Sequence, residues 1–548
     1  MGKINGGRLA VKALKNEGAG CVFAISGGHV EPLFQGCLDE KLKLIDVRHE
    51  QAAALAAEGW ARVTGQPGIC VGTAGPGVTN LVTGVWNAFE CQVPMIAFGG
   101  KAPLREFDLG AHQELDSITL MKSMTKWQKT CYETKRIPEY VSIAYRQALS
   151  GRPGPVYLEI PQDIFMSEVE EGEVVFPKNY RTTARPQGDP AMVKKAVDML
   201  LNAKKPVVVA GSGIWWSRAE KELKELIELL KLPLILIQMA RGAVPEDHPL
   251  CFGPTRVGTK DADVILLIGT RLNYGLNFGR PGLFGTEGKW IQVDIEPEEI
   301  GRNRPIDVGI TGDAKAVLSQ MIAEAQSKAK GRKELPWIEE CKAYVKGRQQ
   351  ALEVEMNSDS VPIHPARVCK EIRDFIDRDA IIVMDGGDTT VWGAAVLKAY
   401  EPGQWLDNGP TGSLGVGIPY AMAAKVAKPN KQLILLHGDG SFGLNAMEFD
   451  TMVRYNIPVV CVIANDEAWG MTMHVQQGWG EDRVIGTRLG FRPYEKMIEG
   501  LGGYGEAVEK PEGIRPALQR AFASGKPAVI NVKCASLARA ARRRPTTK

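Results

Sequence analysis

Short apolar runs recur along the chain, each ending in glycine or polar residues and followed by an amphipathic stretch. Runs at 22–25, 44–47, 69–72 and 95–98 read as buried strands, and the patterns at 7–17, 51–64 and from 78 onward are helical. Strands alternating with helices predict a parallel sheet. Further strand runs stand at 206–210, 264–269 and 290–295, and again at 380–384, 433–436 and 459–464. The polar, proline-containing stretch 177–190 and the charged, helical, then polar stretch 335–362 read as linkers. The expected fold is α/β, with three doubly wound parallel-sheet domains at 1–175, 190–345 and 360–535 and a basic tail at 536–548. A chain of 548 residues is too long for one core, which agrees with that division.

The pattern is densest at 435–471. A buried strand breaks at Gly438-Asp439-Gly440, where glycine lets the backbone turn and approach a ligand closely. A short helix at 445–455 and a second buried strand follow, ending in Asn465-Asp466-Glu467-Ala468. Asp439 and Asp466 lie 27 residues apart, one βαβ unit, so both fall at the same carboxyl edge of a parallel sheet. Hard oxygen ligands there suit Mg²⁺, which keeps coordination positions open for phosphate oxygens. For Asp-Gly alone, an ordinary βαβ unit with polar loop ends is the plainer reading.

Other candidates carry two readings each. Glu50 follows a strand and opens an apolar helix. Desolvation there would raise its pKa and suit proton sharing, while a plain helix-capping carboxylate would sit equally well. His29 follows Gly27-Gly28 at a strand end, and Gln113 lies in a polar loop at 110–116; each is a catalytic group or a loop-stabilising one. Leu414 is the bulkiest apolar residue in the glycine-rich loop 409–417, as a core plug or as a ligand support. The stretch 469–474 lines a pocket or packs a helix start, and 478–481, with Trp479, reads as a mobile loop. Gly211-x-Gly213 lacks the third glycine of a dinucleotide fingerprint, although Asp294 ends a strand where a ribose hydroxyl would be reached.

Composition narrows the class. Apolar residues are 44 % and charged residues 24 %, and the net charge of +3 is too small to imply nucleic-acid binding. The ten cysteines form no CxxC pair, so neither a zinc site nor a disulfide framework is expected. There is no apolar signal core at the N-terminus and no run of about 18 apolar residues. A cytoplasmic protein with reduced thiols, off the membrane, is expected.

Gly438-Asp439-Gly440 with the closing Asn465-Asp466 resembles the diphosphate-binding motif of thiamine-diphosphate enzymes. Arg48-His49-Glu50-Gln51-Ala52-Ala53 is similar to the segment carrying that family's essential glutamate. The resemblance spans nearly the whole chain. It implies a pyrimidine-binding first domain, a Rossmann-like central domain and a diphosphate-binding third domain. It implies Mg²⁺ held by Asp439, Asp466 and the backbone oxygen of Ala468. Cofactor contacts are implied at Glu50, Gly412, Ser413, Leu414, Gly438, Gly440, Ser441, Trp469, Gly470 and Met471. Leu414 would wedge between the two cofactor rings. The chain departs at Asp466, where the family usually has asparagine, and so adds a negative charge beside the diphosphate.

Within the family, His29 and Gln113 match substrate-facing positions of benzaldehyde lyase, and 113–116 looks like oxalyl-CoA decarboxylase and 2-hydroxyacyl-CoA lyase. The expected reaction is cleavage or formation of a carbon–carbon bond in a 2-hydroxyacyl-CoA or an acyloin such as benzoin. An acetolactate-synthase-like transferase, a 2-oxo acid or oxalyl-CoA decarboxylase, and a catalytically silent cofactor-binding subunit are the alternatives. ADP is the expected central-domain ligand. FAD is not expected, because the Arg-Phe-Asp-Asp stretch of flavin-bearing acetolactate synthases is missing. Arg539, Arg542 and Arg543 in the tail are either solvated chain or a clamp for coenzyme A phosphates. The resemblance also implies a homo-oligomer, at least a dimer and commonly a tetramer, because Glu50 and Asp439 would meet across subunits.

Overall fold

The computed structural model describes residues 2–537. Its strands, in chain order, are β1 (Lys3–Asn5), β2 (Cys21–Ala24), β3 (Lys43–Asp46), β4 (Gly68–Gly72), β5 (Met95–Lys101), β6 (Gln128–Thr130), β7 (Pro155–Pro161) and β8 (Glu168–Glu170). They continue with β9 (Pro206–Ala210), β10 (Leu234–Leu236), β11 (Val264–Ile268), β12 (Lys289–Asp294) and β13 (Val308–Thr311). The last group is β14 (Ile381–Asp385), β15 (Trp405–Leu406), β16 (Leu433–Gly438), β17 (Val460–Asn465), β18 (Tyr504–Val508) and β19 (Ala528–Lys533).

Three parallel sheets result, ordered β3-β2-β4-β5-β7-β6, β10-β9-β11-β12-β13 and β15-β14-β16-β17-β19-β18. This is the expected α/β architecture of three doubly wound domains. Central strands such as β4, β11 and β17 are buried along their whole length, which is why they read as continuous apolar runs rather than alternating ones. The strands beyond 98 in the first domain and beyond 464 in the third carried weaker signals. β7 is bounded by prolines, and β18 is a half-exposed edge strand with glycine and glutamate in it. β1 and β8 form a short antiparallel pair that closes the first domain on itself.

The charged stretch expected as a second linker is more than a connection. The helix Pro336–Met356 buries Trp337, Ile338 and Cys341 in the central domain and Leu352 and Met356 in the third, so it belongs to two cores.

The first and third domains pack through two helices, Glu50–Thr64 and Gly417–Ala427. The Ala-rich face of the first supplies small side chains, and Gly59 admits the closest approach: a Cβ there would stand 2.7 Å from the Tyr420 Cα. Glu58, Asn87, Tyr420 and Arg62 are buried in this contact. Asn87 Nδ2 donates to Glu58 Oε2 at 2.7 Å and lies 2.8 Å from the Tyr420 hydroxyl. Thr411 donates to Asn87 Oδ1, and Arg62 donates to the Asp407 carbonyl. Arg62 Nε and Glu58 Oε1, which make no hydrogen bond, face each other as an ion pair at 3.4 Å, so the buried charges are paired.

Candidate active site

The carboxyl edges of β14, β16 and β17 open into a cavity of about 440 Å³. Gly412, Leu414, Gly438, Asp439, Gly440, Ser441, Asp466, Ala468, Trp469, Gly470 and Met471 all line it, so one cavity gathers the residues singled out from two separate stretches of sequence. Ser413 lies in the same loop, its backbone N–H donating to Thr411 Oγ1 at 3.1 Å. Thr389 and Thr390 join the lining from the first turn of the helix Asp388–Val396.

Asp439 opens the helix Asp439–Asn445 and is almost fully buried. Its carboxyl group is within hydrogen-bonding reach of Asp466. Burial first, and the nearby Asp466 charge second, push it up to about 8. Two converging carboxyl groups in a buried site are stable with a shared proton or with a cation between them. Among the described residues no group of three His, Cys, Asp or Glu side chains is placed to hold a metal. A cation here would therefore use the two aspartates and main-chain or cofactor oxygens, a donor set that fits Mg²⁺.

The turn after β17 is strained. Glu467 has φ +61°, uncommon outside glycine, and its carbonyl accepts Leu489 N at 2.7 Å and Gly490 N at 3.1 Å. That anchorage offsets the strain and fixes Asp466 and Ala468 on either side. Trp469 lies flat against Gly440, where a Cβ would stand 2.7 Å from the indole. Glycine is thus needed at 440 for close packing rather than for an unusual φ.

Behind the cavity stands a second polar row that the sequence did not single out. Asp385 and His437 are fully buried, 3.4 Å apart (Oδ2 to Nε2). Gly417 N donates to Asp385 Oδ2 at 2.8 Å, and His437 Nδ1 lies 2.9 Å from Ser441 Oγ. Burial raises the Asp385 carboxyl and lowers the His437 imidazole. Asp388, His474 and Ser536 form a further row on the Asp466 side. Neither row follows a spacing rule, because its members come from three or four elements.

Glu50, His29 and Gln113 are not in this cavity; they lie at the carboxyl edge of the first sheet. Glu50 is the first residue of its helix, buried, with Oε2 accepting from Asn80 Nδ2 at 2.9 Å. The approach to Glu50 is tethered to the third domain: Arg48 N donates to Glu448 Oε1 at 2.9 Å, and Asp46 N to the Tyr455 hydroxyl at 3.0 Å. His29 is 6 % exposed, with Nδ1 3.2 Å from Thr73 Oγ1 and its ring stacked on His112 at 6.1 Å between centroids. Burial, then the His112 charge, lower its pKa, so it is neutral near pH 7. Gln113 takes φ +59° beside Gly75 (φ +54°), where a Cβ would stand 2.8 Å from the Gln113 carbonyl. The structure thus brings the His29 and Gln113 segments together.

Three family descriptions match in order: "Thiamine pyrophosphate enzyme, N-terminal TPP binding domain" over 4–120, the central domain over 193–321, and the C-terminal TPP binding domain over 385–532. The chain belongs to the thiamine pyrophosphate enzyme family. The C-terminal match encloses the cavity around Asp439, and the N-terminal match encloses the Glu50 and His29 edge. This thiamine pyrophosphate enzyme is 38 % identical over 533 residues to "Acetolactate synthase large subunit IlvG" of Mycobacterium tuberculosis, covering 96 % of this chain and 95 % of that one. It is 33 % identical over 548 residues to the 2-hydroxyacyl-CoA lyase of Arabidopsis thaliana, covering 96 % and 95 %. The human 2-hydroxyacyl-CoA lyase 1 is 30 % identical over 551 residues, covering 97 % and 94 %.

The central domain carries its own cavity, about 320 Å³, lined in part by Arg152, Gly213, Gly269, Asp294 and Asp313. Burial pushes the Asp294 carboxyl up to about 6. A third cavity, about 600 Å³, separates the central and third domains; it shares Thr390, Val391 and Asn408 with the Asp439 cavity and presents Arg256, Arg348 and Lys398. The tail arginines Arg539, Arg542 and Arg543 lie outside the described residues. No helix among the described residues is long and apolar enough to cross a membrane.

Proposed function

We propose that this chain is a thiamine-diphosphate-dependent carbon–carbon lyase and carboligase acting on a 2-hydroxyacyl-CoA, to formyl-CoA and an aldehyde or ketone, or on an acyloin such as benzoin. The observation that carries this reading is His29: a buried, neutral imidazole beside His112 and Gln113, on the sheet edge that also bears Glu50.

Bound thiamine diphosphate supplies the carbon nucleophile and the electron sink for cleavage next to a carbonyl. Asp439, Asp466 and the Ala468 carbonyl would hold Mg²⁺. Gly438, Gly440, Ser441 and Gly470 would approach the diphosphate, and Gly412, Ser413, Leu414, Trp469 and Met471 would support the rings. Glu50, with one oxygen occupied by Asn80, would offer the other to the pyrimidine ring. His29, with Nδ1–H donating to Thr73 Oγ1, would keep Nε2 unprotonated to take the proton of the substrate 2-hydroxyl as the bond breaks and return it to the product carbon. Gln113 orients the same oxygen. General acid–base help of this kind is worth about 10²–10⁴-fold.

The separation of Glu50 from the Asp439 cavity supports a homodimer in which each subunit completes the other's site, within a tetramer. The cationic third cavity, opening beside Thr390, supports a coenzyme A thioester, whose phosphates Arg256, Arg348 and Lys398 would meet, with Arg539, Arg542 and Arg543 as a further clamp. The missing Arg-Phe-Asp-Asp stretch favours ADP over FAD as the ligand of the central cavity, where Asp294 would meet a ribose hydroxyl.

The acetolactate synthase relative at 38 % identity favours a second reading, a transferase using pyruvate. Turnover of a 2-hydroxyacyl-CoA, benzoin and pyruvate by wild type and by His29→Ala separates the two. Cleavage lost in His29→Ala supports the lyase. Acetolactate formation from pyruvate, indifferent to His29, supports the transferase.

A further inference from the structure

Asp466 uses its outer oxygen for a contact that an asparagine would not reproduce. Its Oδ2 accepts from Ser536 Oγ at 2.7 Å. Ser536 Oγ lies 3.3 Å from His474 Nε2, and His474 Nδ1 lies 3.0 Å from Asp388 Oδ2. A serine hydroxyl has one proton. A carboxylate only accepts, so that proton points at Asp466, and the serine oxygen is left facing His474 Nε2, whose Nδ1 faces Asp388. An amide at 466 would either turn its own N–H₂ toward Ser536, and compete there with His474, or turn it toward the cation.

The members come from four places: the start of the helix Asp388–Val396, the last turn of the helix Gly470–Gln477, the turn after β17, and the segment past β19. The Ser536 segment is fixed by other contacts. Ala535 N donates to the Ile363 carbonyl at 2.9 Å, and Trp392 Nε1 to the Leu537 carbonyl at 2.9 Å, which pins Ser536 from both sides. Gly470 has no Cβ where both carboxylates converge: one built there would collide with Asp466 Oδ2 and stand 3.4 Å from Asp388 Oδ2.

We propose that Ser536, backed by His474 and Asp388, is a positioning residue that holds Asp466 as a second anionic ligand beside Asp439, so that this enzyme loads its divalent cation before thiamine diphosphate arrives. Two carboxylates cancel the charge of a divalent cation without help from the diphosphate. One carboxylate and one amide leave a net positive charge, which the diphosphate must neutralise. Orientation from outside the ligand shell is worth about 10–100-fold in metal affinity. The inference rests on the cation site of the proposed function.

The test is Mn²⁺ and Mg²⁺ binding to full-length protein by calorimetry and by the Mn²⁺ spin-resonance signal, with and without thiamine diphosphate. Wild type, Ser536→Ala, Ser536→Thr, Asp466→Asn, the Ser536→Ala/Asp466→Asn double variant and Asp439→Ala are compared. The expected results are one cation per chain without cofactor and roughly tenfold weaker binding in Ser536→Ala, with near-wild-type binding in Ser536→Thr. Asp466→Asn should bind the cation only with the cofactor present. Measured with the cofactor present, the Ser536→Ala effect should vanish in the Asp466→Asn background, a coupling that a merely structural serine would not give. Cofactor-free binding that is absent in wild type, or unchanged in Ser536→Ala or Asp466→Asn, overturns the proposal. If cation binding with cofactor is insensitive to Asp439→Ala, the cation site itself is misassigned, a failure distinct from the others.

Discussion

Replacing Glu448 by glutamine tests the tether that leads to Glu50. The Glu448 side chain is buried at the contact between the first and third domains. It accepts from Arg48 N at 2.9 Å and from Thr451 Oγ1 at 2.7 Å. Burial nevertheless dominates and pushes its pKa up to about 7, against an ordinary value of 4.5. A raised carboxyl pKa means the folded protein holds the proton more tightly than the unfolded chain does. Stability therefore falls as pH rises from about 4.5 to about 7 and is level above that. At about 1.4 kcal/mol per pH unit, the loss is on the order of 3 kcal/mol. Glutamine keeps an acceptor for Arg48 and has no proton to lose. The assay is thermal unfolding of wild type and Glu448→Gln from pH 4.5 to 8, followed by tryptophan fluorescence. The stability of the wild type relative to the variant should fall across that window and then stay constant. A difference that does not change with pH would refute the reasoning.

Other outcomes follow from the same geometry. Enlarging Gly59 to valine should drive the helix Glu50–Thr64 off Tyr420; the expected cost is about 1–3 kcal/mol, read as a lower Tm, with weaker cofactor binding read by tryptophan quenching. Asn80→Ala frees Glu50 Oε2, and kcat should fall by about tenfold or more with little change in KM, measured at saturating thiamine diphosphate. Because burial lowers the His29 pKa, the acid limb of the wild-type kcat/KM profile for cleavage should lie below the ordinary histidine value of 6.5; a limb at or above that value would count against His29 as the base.

Much of the fold was legible because its strands are buried on both faces. Runs such as 433–436 and 459–464 need no alternation to be seen, and the turns after them announce themselves with glycine and aspartate. The two halves of the candidate site were legible for the same reason: carboxyl edges of parallel strands are where polar residues follow apolar runs. What escaped lies in contacts across long sequence separations. Asp385 meets His437, Glu448 meets Arg48, and Ser536 meets Asp466, each through elements whose approach no local pattern encodes. The helix Pro336–Met356 was seen as helical and charged, but its division between two cores depends on tertiary contacts at its two ends. Edge strands such as β18 escaped because exposure on one side removes the continuous apolar signal.

The central claim is tested most directly by supplying the full-length protein with thiamine diphosphate and Mg²⁺ and following a 2-hydroxyacyl-CoA, benzoin and pyruvate side by side. The account predicts formyl-CoA with an aldehyde or ketone from the first, or aldehyde from the second, and loss of that cleavage in His29→Ala. Acetolactate from pyruvate, with neither of the other substrates cleaved, would contradict it.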